Sequence, residues 1–219
     1  GYTIVDAAYR GIESQVTYFV PTTGSHEVWH LHLHNTSQQT RQFSIFTYSE
    51  YTLWCEPESR NIQWSLHLTH GDYQDGIATY NFIEPHPAFD MKANANYVGD
   101  RPGLAYITLV GAEIQDFDCV RDKFLGMYHS ESDPVGVENG HLSNSILRGG
   151  NGCSALRVEV ELAPDGQQDL IVLLGFADSL DEVKQVKTRF AKPQIVTQEL
   201  ELVRQNWRTY LSAYHVETP

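Results

Sequence analysis

Apolar and polar positions alternate in short runs along most of this chain, the period of two that a half-buried strand imposes. Ile12 to Val20 is rich in Val, Thr, Tyr and Phe and stops at Pro21 and Gly24. From Val28 to His34 the alternation is strict: Trp29, Leu31 and Leu33 share one face, and Val28, His30, His32 and His34 share the other. Gln42 to Tyr51 alternates again, and Asn35 to Gln39 supplies a polar turn between the two runs, which predicts a hairpin. Further strands are predicted over Ile62 to Thr69, Ile77 to Phe82, Leu104 to Val110, Leu156 to Leu162 and Leu170 to Leu174. The last two flank Ala163-Pro164-Asp165-Gly166, a turn in which proline presets φ and glycine accepts a positive one. Many short strands at this spacing predict a mainly β chain folded as an antiparallel sandwich, not a parallel α/β sheet.

The period changes near residue 178. Ser179-Leu180-Asp181-Glu182 has the order of a capping box, with Ser179 at the cap and Glu182 reaching back, and a helix follows to about Phe190. After Pro193 a second helix carries Val196, Leu200, Val203, Trp207, Leu211 and Tyr214, steps of three and four that fall on one face. Trp207 reads as a packing anchor on that stripe. A sandwich leaves little surface for so apolar a helix, so the tail is expected to dock against a neighbour outside these residues.

The chain has 219 residues, 15 Lys plus Arg and 28 Asp plus Glu, for a formal net charge of −13. That balance argues against affinity for nucleic acid or an anionic membrane, because neutralising phosphates needs clustered cations. Hydrophobic residues at 41% are enough for a core without staples. Cys55, Cys119 and Cys153 are too few and too widely spaced for a disulfide framework or a thiolate zinc site, and read as reduced thiols of a cytoplasmic protein. Asn35-Thr36-Ser37 matches a glycosylation sequon with no secretion signal before it. The chain opens Gly1-Tyr2-Thr3-Ile4, without an initiator Met, and reads as a piece of something longer.

Candidate chemistry is sparse. His30, His32 and His34 project from one strand face at a spacing that lets two imidazoles share a metal, or they simply line an exposed sheet face or contact surface. There is no Gly-x-Ser-x-Gly elbow, no HExxH and no P-loop, and Gly149-Gly150-Asn151-Gly152 lacks the Lys-Ser/Thr that would hold phosphate. A glycosidase pair such as Glu50 with Asp118 or Asp122 is imaginable, but acids in so acidic a chain mostly face water. The densest constellation is the loop from Gln115 to Tyr128. It combines the planar donor fork of Arg121, the acceptor Asp122 and the flat faces of Phe124 and Tyr128, the mixture that binds sugars. The alternative is a loop in which Arg121 and Asp122 pair while Phe124 fills the core.

These residues and their surroundings resemble the inverting disaccharide phosphorylases of glycoside hydrolase family 94, the cellobiose, chitobiose and cellodextrin phosphorylases. The similarity runs in order through Gly11-Ile12-Glu13, Thr17 to Pro21, Glu27-Val28-Trp29, Asn35-Thr36-Ser37, Phe46 to Glu50, Arg121 to Gly126, Asn139-Gly140, Ser143 to Ser145 and Leu162 to Gly166. The resemblance implies a galactose-mutarotase-like β-sandwich over 1–177, lacking its first strands, and a helical linker over 178–219. It places catalysis, by a carboxylic acid with inorganic phosphate as co-substrate and no cofactor, in an (α/α)6 barrel beyond these residues, so no catalytic residue and no metal are assigned. It implies a homodimer in which the loop contributes to recognition of the acceptor sugar of a β-linked disaccharide. Arg121 would donate to sugar hydroxyls, Asp122 would orient it and Phe124 would shape the loop. Val120 stands where the family often has a polar residue, which removes one hydrogen bond from that set. The competing class is a stand-alone carbohydrate-binding or dimerisation module without catalysis, and a third is a metal-dependent sandwich enzyme using His30, His32 and His34.

Overall fold

The computed structural model describes residues 1–51, 69–82 and 103–214. Among these residues the chain is mainly antiparallel β, with eleven strands and four helices. The strands are β1 (Tyr2–Tyr9), β2 (Ile12–Phe19), β3 (His26–Asn35), β4 (Arg41–Ser49), β5 (Thr69–Gln74), β6 (Ile77–Phe82), β7 (Leu104–Val110), β8 (Ile114–Val120), β9 (Leu147–Arg148), β10 (Gly152–Leu162) and β11 (Gln167–Ala177). The helices are α1 (Arg121–Phe124), α2 (Val135–Asn139), α3 (Leu180–Phe190) and α4 (Pro193–Leu211). The strands form a large sheet, ordered β1-β2-β3-β11-β7-β6-β5-β9, and a small one, ordered β4-β10-β8. The strand predicted over Ile62 to Thr69 and the thiol of Cys55 fall outside the described residues except for Thr69, which opens β5.

The alternation along β3, β7 and β11 is resolved into two cores, one on each face of the large sheet. Leu33, Ile107, Leu109, Leu170 and Val172 face the small sheet, where Leu156, Val158, Val160 and Leu162 of β10 meet them. Val28, Tyr106, Ile171 and Leu173 face the other way, against Val183, Phe190, Val196 and Val203 of α3 and α4. A third cluster lies on the outer face of the small sheet, where Phe124, Leu125 and Leu142 cover Phe46, Tyr48, Cys153 and Ala155. The molecule is therefore layered: helices, large sheet, small sheet and then the segment containing α1 and α2.

This layering corrects the predicted hairpin. β3 pairs with β2 and β11 while β4 pairs with β10, so the Asn35–Gln39 turn carries the chain from one sheet to the other. The Pro164-Asp165-Gly166 turn does the same between β10 and β11. The two crossings lie side by side because Asn35, fully buried, bridges them. Its amide donates to the main-chain oxygens of Leu162, Ala163 and Gln39 at 2.8–2.9 Å, and its carbonyl accepts from the Ser37 amide and hydroxyl. A buried side-chain amide so fully committed is no glycosylation acceptor, whatever the sequon.

The predicted tail is also adjusted. Ser179 Oγ accepts from the Glu182 amide at 3.3 Å, and Glu182 reaches back one residue further than a capping box requires, accepting from the Asp178 amide at 3.0 Å. The next helix opens at Pro193, where the missing N–H costs nothing. Its Val196 and Val203 sit on the outer face of the chain's own large sheet, which corrects the expectation that the tail docks against a neighbour outside these residues: that sheet has a second apolar face to receive it. The stripe weakens toward the C-terminal end: Trp207, resting against Gly1, is 43% exposed, and Leu211 and Tyr210 are more so. Tyr214 lies beyond the last turn, not on it.

Candidate functional site

Two buried carboxylates, Asp116 and Asp118, build the frame of the segment from Gln115 to Tyr128. In sequence it reads as a loop, but as far as Val120 it is strand β8, whose polar residues point where apolar ones usually do. Asp116 pairs with Arg157 of β10 through Oδ2 at 2.7 Å, both side chains almost buried, and Arg157 also reaches Glu159. Those bonds hold the Arg157 guanidinium protonated well beyond its usual range. Asp118 is fully buried, and among the described residues its partners are neutral donors and no cation. Its Oδ1 accepts from the amides of Ser143 and Ser145 at 3.2 and 3.0 Å and from both serine hydroxyls. Four donors satisfy a buried carboxylate and fix residues 143–145 beside β8.

Helix α1 follows directly, with the Arg121 amide donating to Asn151 O at 3.0 Å and the Leu125 and Gly126 amides returning to Arg121 and Asp122. Gly126 turns the chain at φ 91°, a conformation that suits glycine, and brings Val135 N back to Leu125 O at 3.0 Å. Gly136 at the start of α2 leaves no room for a side chain: a Cβ there would stand 2.8 Å from Leu142 and 3.2 Å from Phe124.

The helix places Arg121 and Phe124 one turn apart, and both meet the end of β4. The Phe124 ring, 3% exposed, stacks on Tyr48 at 4.7 Å between centroids and 16° between planes. Tyr48 donates from its hydroxyl to Glu50 Oε1, and the same oxygen accepts from Arg121 Nε at 2.8 Å. Arg121 Nη2 donates to Glu131 Oε1 at 3.1 Å. Burial, then Glu50, pushes the Tyr48 hydroxyl far above its usual range, so it stays a donor. The bond to Glu50 likewise raises the Arg121 guanidinium. The result is a chain of contacts, Phe124 to Tyr48 to Glu50 to Arg121, from the core to a half-exposed cation.

Of the sequence-derived candidates, Arg121 and Phe124 are thus brought to one place, with different exposure. Arg121 is accessible, whereas Phe124 presents no free face and shapes the segment from beneath. The carboxylates that hold Arg121 are Glu50 and Glu131, not its neighbour Asp122, which is exposed on α1. Tyr48, Glu50 and Glu131 were not legible as a set, because Glu50 lies 71 positions from Arg121. Met127 and Tyr128 form an exposed apolar tip next to α1, with Tyr128 at φ 68°. The imagined glycosidase pair dissolves: Asp118 is bound by serines, and Glu50 is occupied by Arg121 and Tyr48.

The histidine face has a different arrangement. His30 Nε2 and His32 Nδ1 both bond Asp169 Oδ1, at 2.8 and 3.0 Å, and His34 Nε2 bonds Asp165 Oδ1 at 2.8 Å. The imidazoles tie β3 to β11 and to the turn before it, and among the described residues no group of three or more His, Cys, Asp or Glu is arranged to hold a metal. Cys119 and Cys153 are buried free thiols, and burial pushes the Cys119 thiol up to about 12, so neither is a nucleophile. Among the described residues no helix is long and apolar enough to cross a membrane.

Comparison with known proteins places this frame in context. Residues 1–193 match the family described as Glycosyl hydrolase 94, supersandwich domain. The chain is similar to an N,N'-diacetylchitobiose phosphorylase of Vibrio furnissii, 29% identical over 96% of this chain and 25% of that protein. It is similar to a protein of the same name from Vibrio proteolyticus, 26% identical over 100% of this chain and 26% of that one. A 3-O-beta-D-glucopyranosyl-beta-D-glucuronide phosphorylase of Paenibacillus borealis is 26% identical over 100% of this chain and 27% of its own length. The chain spans about a quarter of the length of the curated relatives it matches.

Proposed function

The chain belongs to the glycosyl hydrolase 94 supersandwich family, and from that premise we propose that it is the sandwich domain of an inverting glycoside phosphorylase. The parent reaction is reversible: a β-linked gluco-disaccharide and phosphate give a sugar 1-phosphate and a free sugar. A carboxylic acid protonates the glycosidic oxygen and phosphate attacks the opposite face, in the role that water has in an inverting glycosidase. No carboxylate of this chain is assigned to that step. The part proposed for these residues is acceptor-sugar recognition and homodimerisation, with 1–177 as the sandwich and 178–219 as the linker, in a cytoplasmic enzyme.

The observation that carries the recognition role is the state of Arg121. Its Nε and one Nη2 proton are engaged by Glu50 and Glu131, while both Nη1 protons and the second Nη2 proton have no partner among the described residues. A guanidinium fixed on one side and free on the other is suited to donate to sugar hydroxyls. Tyr128 offers an exposed ring nearby in sequence for the C–H face of a sugar. Phosphate is not placed here, since the carboxylates around Arg121 would repel it. The test is Arg121→Ala in the full-length gene product: the KM for the acceptor sugar should rise at least about tenfold with the melting temperature unchanged. An unchanged acceptor KM would contradict the assignment.

A further inference from the structure

We infer that the groove between the ends of β1, β2 and β3 and the outer half of α4 is a further sugar-binding site, which takes an uncharged β-linked saccharide on the Trp207 indole. It shares no residue with the segment around Arg121 and does not depend on the role proposed for that arginine.

Strand register brings the parts of this groove together. Tyr2 pairs with Phe19 and Phe19 with Val28, so the start of β1, the end of β2 and the start of β3 lie in a row. Between them and α4 is a groove of about 600 Å3, whose lining includes Tyr2, Tyr18, Val20, Glu27, Asn206 and Trp207. Small-molecule sites usually hold roughly 300–1,000 Å3. The Trp207 indole is fixed from two sides, by Gly1 against its edge and by Tyr210 edge-on to it at 5.9 Å and 89°. Nearly half of it still faces water. A rigid aromatic ring kept in water offers the C–H face of a pyranose a surface to stack on at little entropic cost.

The polar side chains of the groove supply what the edge of such a ring requires. Among the described residues the Glu27 carboxylate and the Asn206 amide have no hydrogen-bond or ion-pair partner, although Glu27 is partly buried. A partly buried carboxylate gains most from a ligand that brings its own donors. Sugar hydroxyls donate to Glu27, and they both donate to and accept from Asn206. Charge narrows the ligand further. Glu27 is the only charged side chain among the described residues of the lining. The neighbouring Arg204 is engaged by the Tyr2 ring at 4.8 Å and by Glu201. A phosphorylated or uronic ligand would therefore meet a carboxylate and no free cation. A β-linked pyranose chain with equatorial substituents has flat C–H faces and hydroxyls along its edges, the complement of an indole flanked by an acid and an amide.

The experiment is affinity electrophoresis of the full-length gene product in native gels containing glycol chitin or hydroxyethyl cellulose, two uncharged β-linked polymers. The variants are Trp207→Ala, Trp207→Phe, Glu27→Gln and Asn206→Ala. The wild type should be retarded by at least one polymer, and the polymer that retards it identifies the sugar as N-acetylglucosamine or glucose. Trp207→Ala should weaken the apparent binding at least about tenfold, Glu27→Gln and Asn206→Ala about threefold or more, and Trp207→Phe least of the four. Migration of the wild type unaltered by both polymers overturns the inference. So does unchanged binding by Trp207→Ala, or unchanged binding by both Glu27→Gln and Asn206→Ala.

Discussion

The side-chain amide of Asn35 donates to the main-chain oxygen of Leu162 at 2.9 Å, joining the two points at which the chain crosses between its sheets. Asn35 O also accepts from the Asp165 amide and Asn35 N donates to Gly166 O, both at 2.9 Å. One residue therefore satisfies polar groups of both crossings at the rim of the sandwich, where no strand ladder can. Asn35→Ala should cost about 3 kcal/mol, since it strands several buried acceptors. Asn35→Asp should be worse at pH 7 than at pH 4, because an ionised carboxylate would face three carbonyl oxygens whereas a protonated one can still donate. Urea unfolding at the two pH values measures both, and equal stability of Asn35→Asp at the two pH values would contradict the bridging role.

The Asp118 knot makes a local prediction. Asp118→Ala should free the amides of Ser143 and Ser145, visible as fast hydrogen exchange at these two positions while the β10 and β11 amides stay protected. Arg121 should lose order with them, since the knot braces the strand from which α1 departs.

A pH prediction follows from His26. Burial first, and the nearby Arg189 second, lower its pKa below 6.5, and its ring packs edge-on against Phe190 at 5.3 Å. Because the folded-state pKa lies below the unfolded one, the unfolded chain binds the proton more readily between the two values. Stability from this site is fully present above about 6.5 and is lost as the pH falls from there toward the folded pKa. Comparing wild type with His26→Gln by urea unfolding at pH 7.5 and 5 should show a smaller pH effect in the variant.

The helical tail separates into a packed and an exposed half. Val203, 2% exposed against the large sheet, should cost about 2 kcal/mol on replacement by alanine. Trp207→Ala should cost less, despite the larger side chain, because nearly half of the ring remains in water. The opposite order in thermal unfolding would mean that Trp207 is the anchor its place on the stripe suggested.

What the sequence disclosed divides along a physical line. The strands β2, β3, β7, β10 and β11 were readable because apolar residues of each meet a core, on both faces of the sheet in β3, β7 and β11. β8 was not, because Asp116 and Asp118 occupy its buried outer positions and are compensated by Arg157, Ser143 and Ser145 from other elements. A period-two reading has no means of anticipating partners that arrive 25 or 41 residues later. β1 escaped for another reason: it is an edge strand exposed along its whole length, so nothing imposes a pattern on it. The hairpin error has the same root, since alternation marks strands but not which sheet receives them. At the candidate site, Arg121 and Phe124 stood out as residue types in a dense segment. Glu50 and Tyr48 became meaningful only when β4 was set against α1.

The central question is whether these residues belong to a phosphorolytic enzyme. The direct measurement is release of sugar 1-phosphate from N,N'-diacetylchitobiose and from cellobiose, each with inorganic phosphate, by the full-length gene product and by the 219-residue chain. The predicted result is phosphate-dependent product from the full-length protein and none from the chain alone. Absence of sugar 1-phosphate from both disaccharides with the full-length protein, or turnover by the isolated chain, would contradict it.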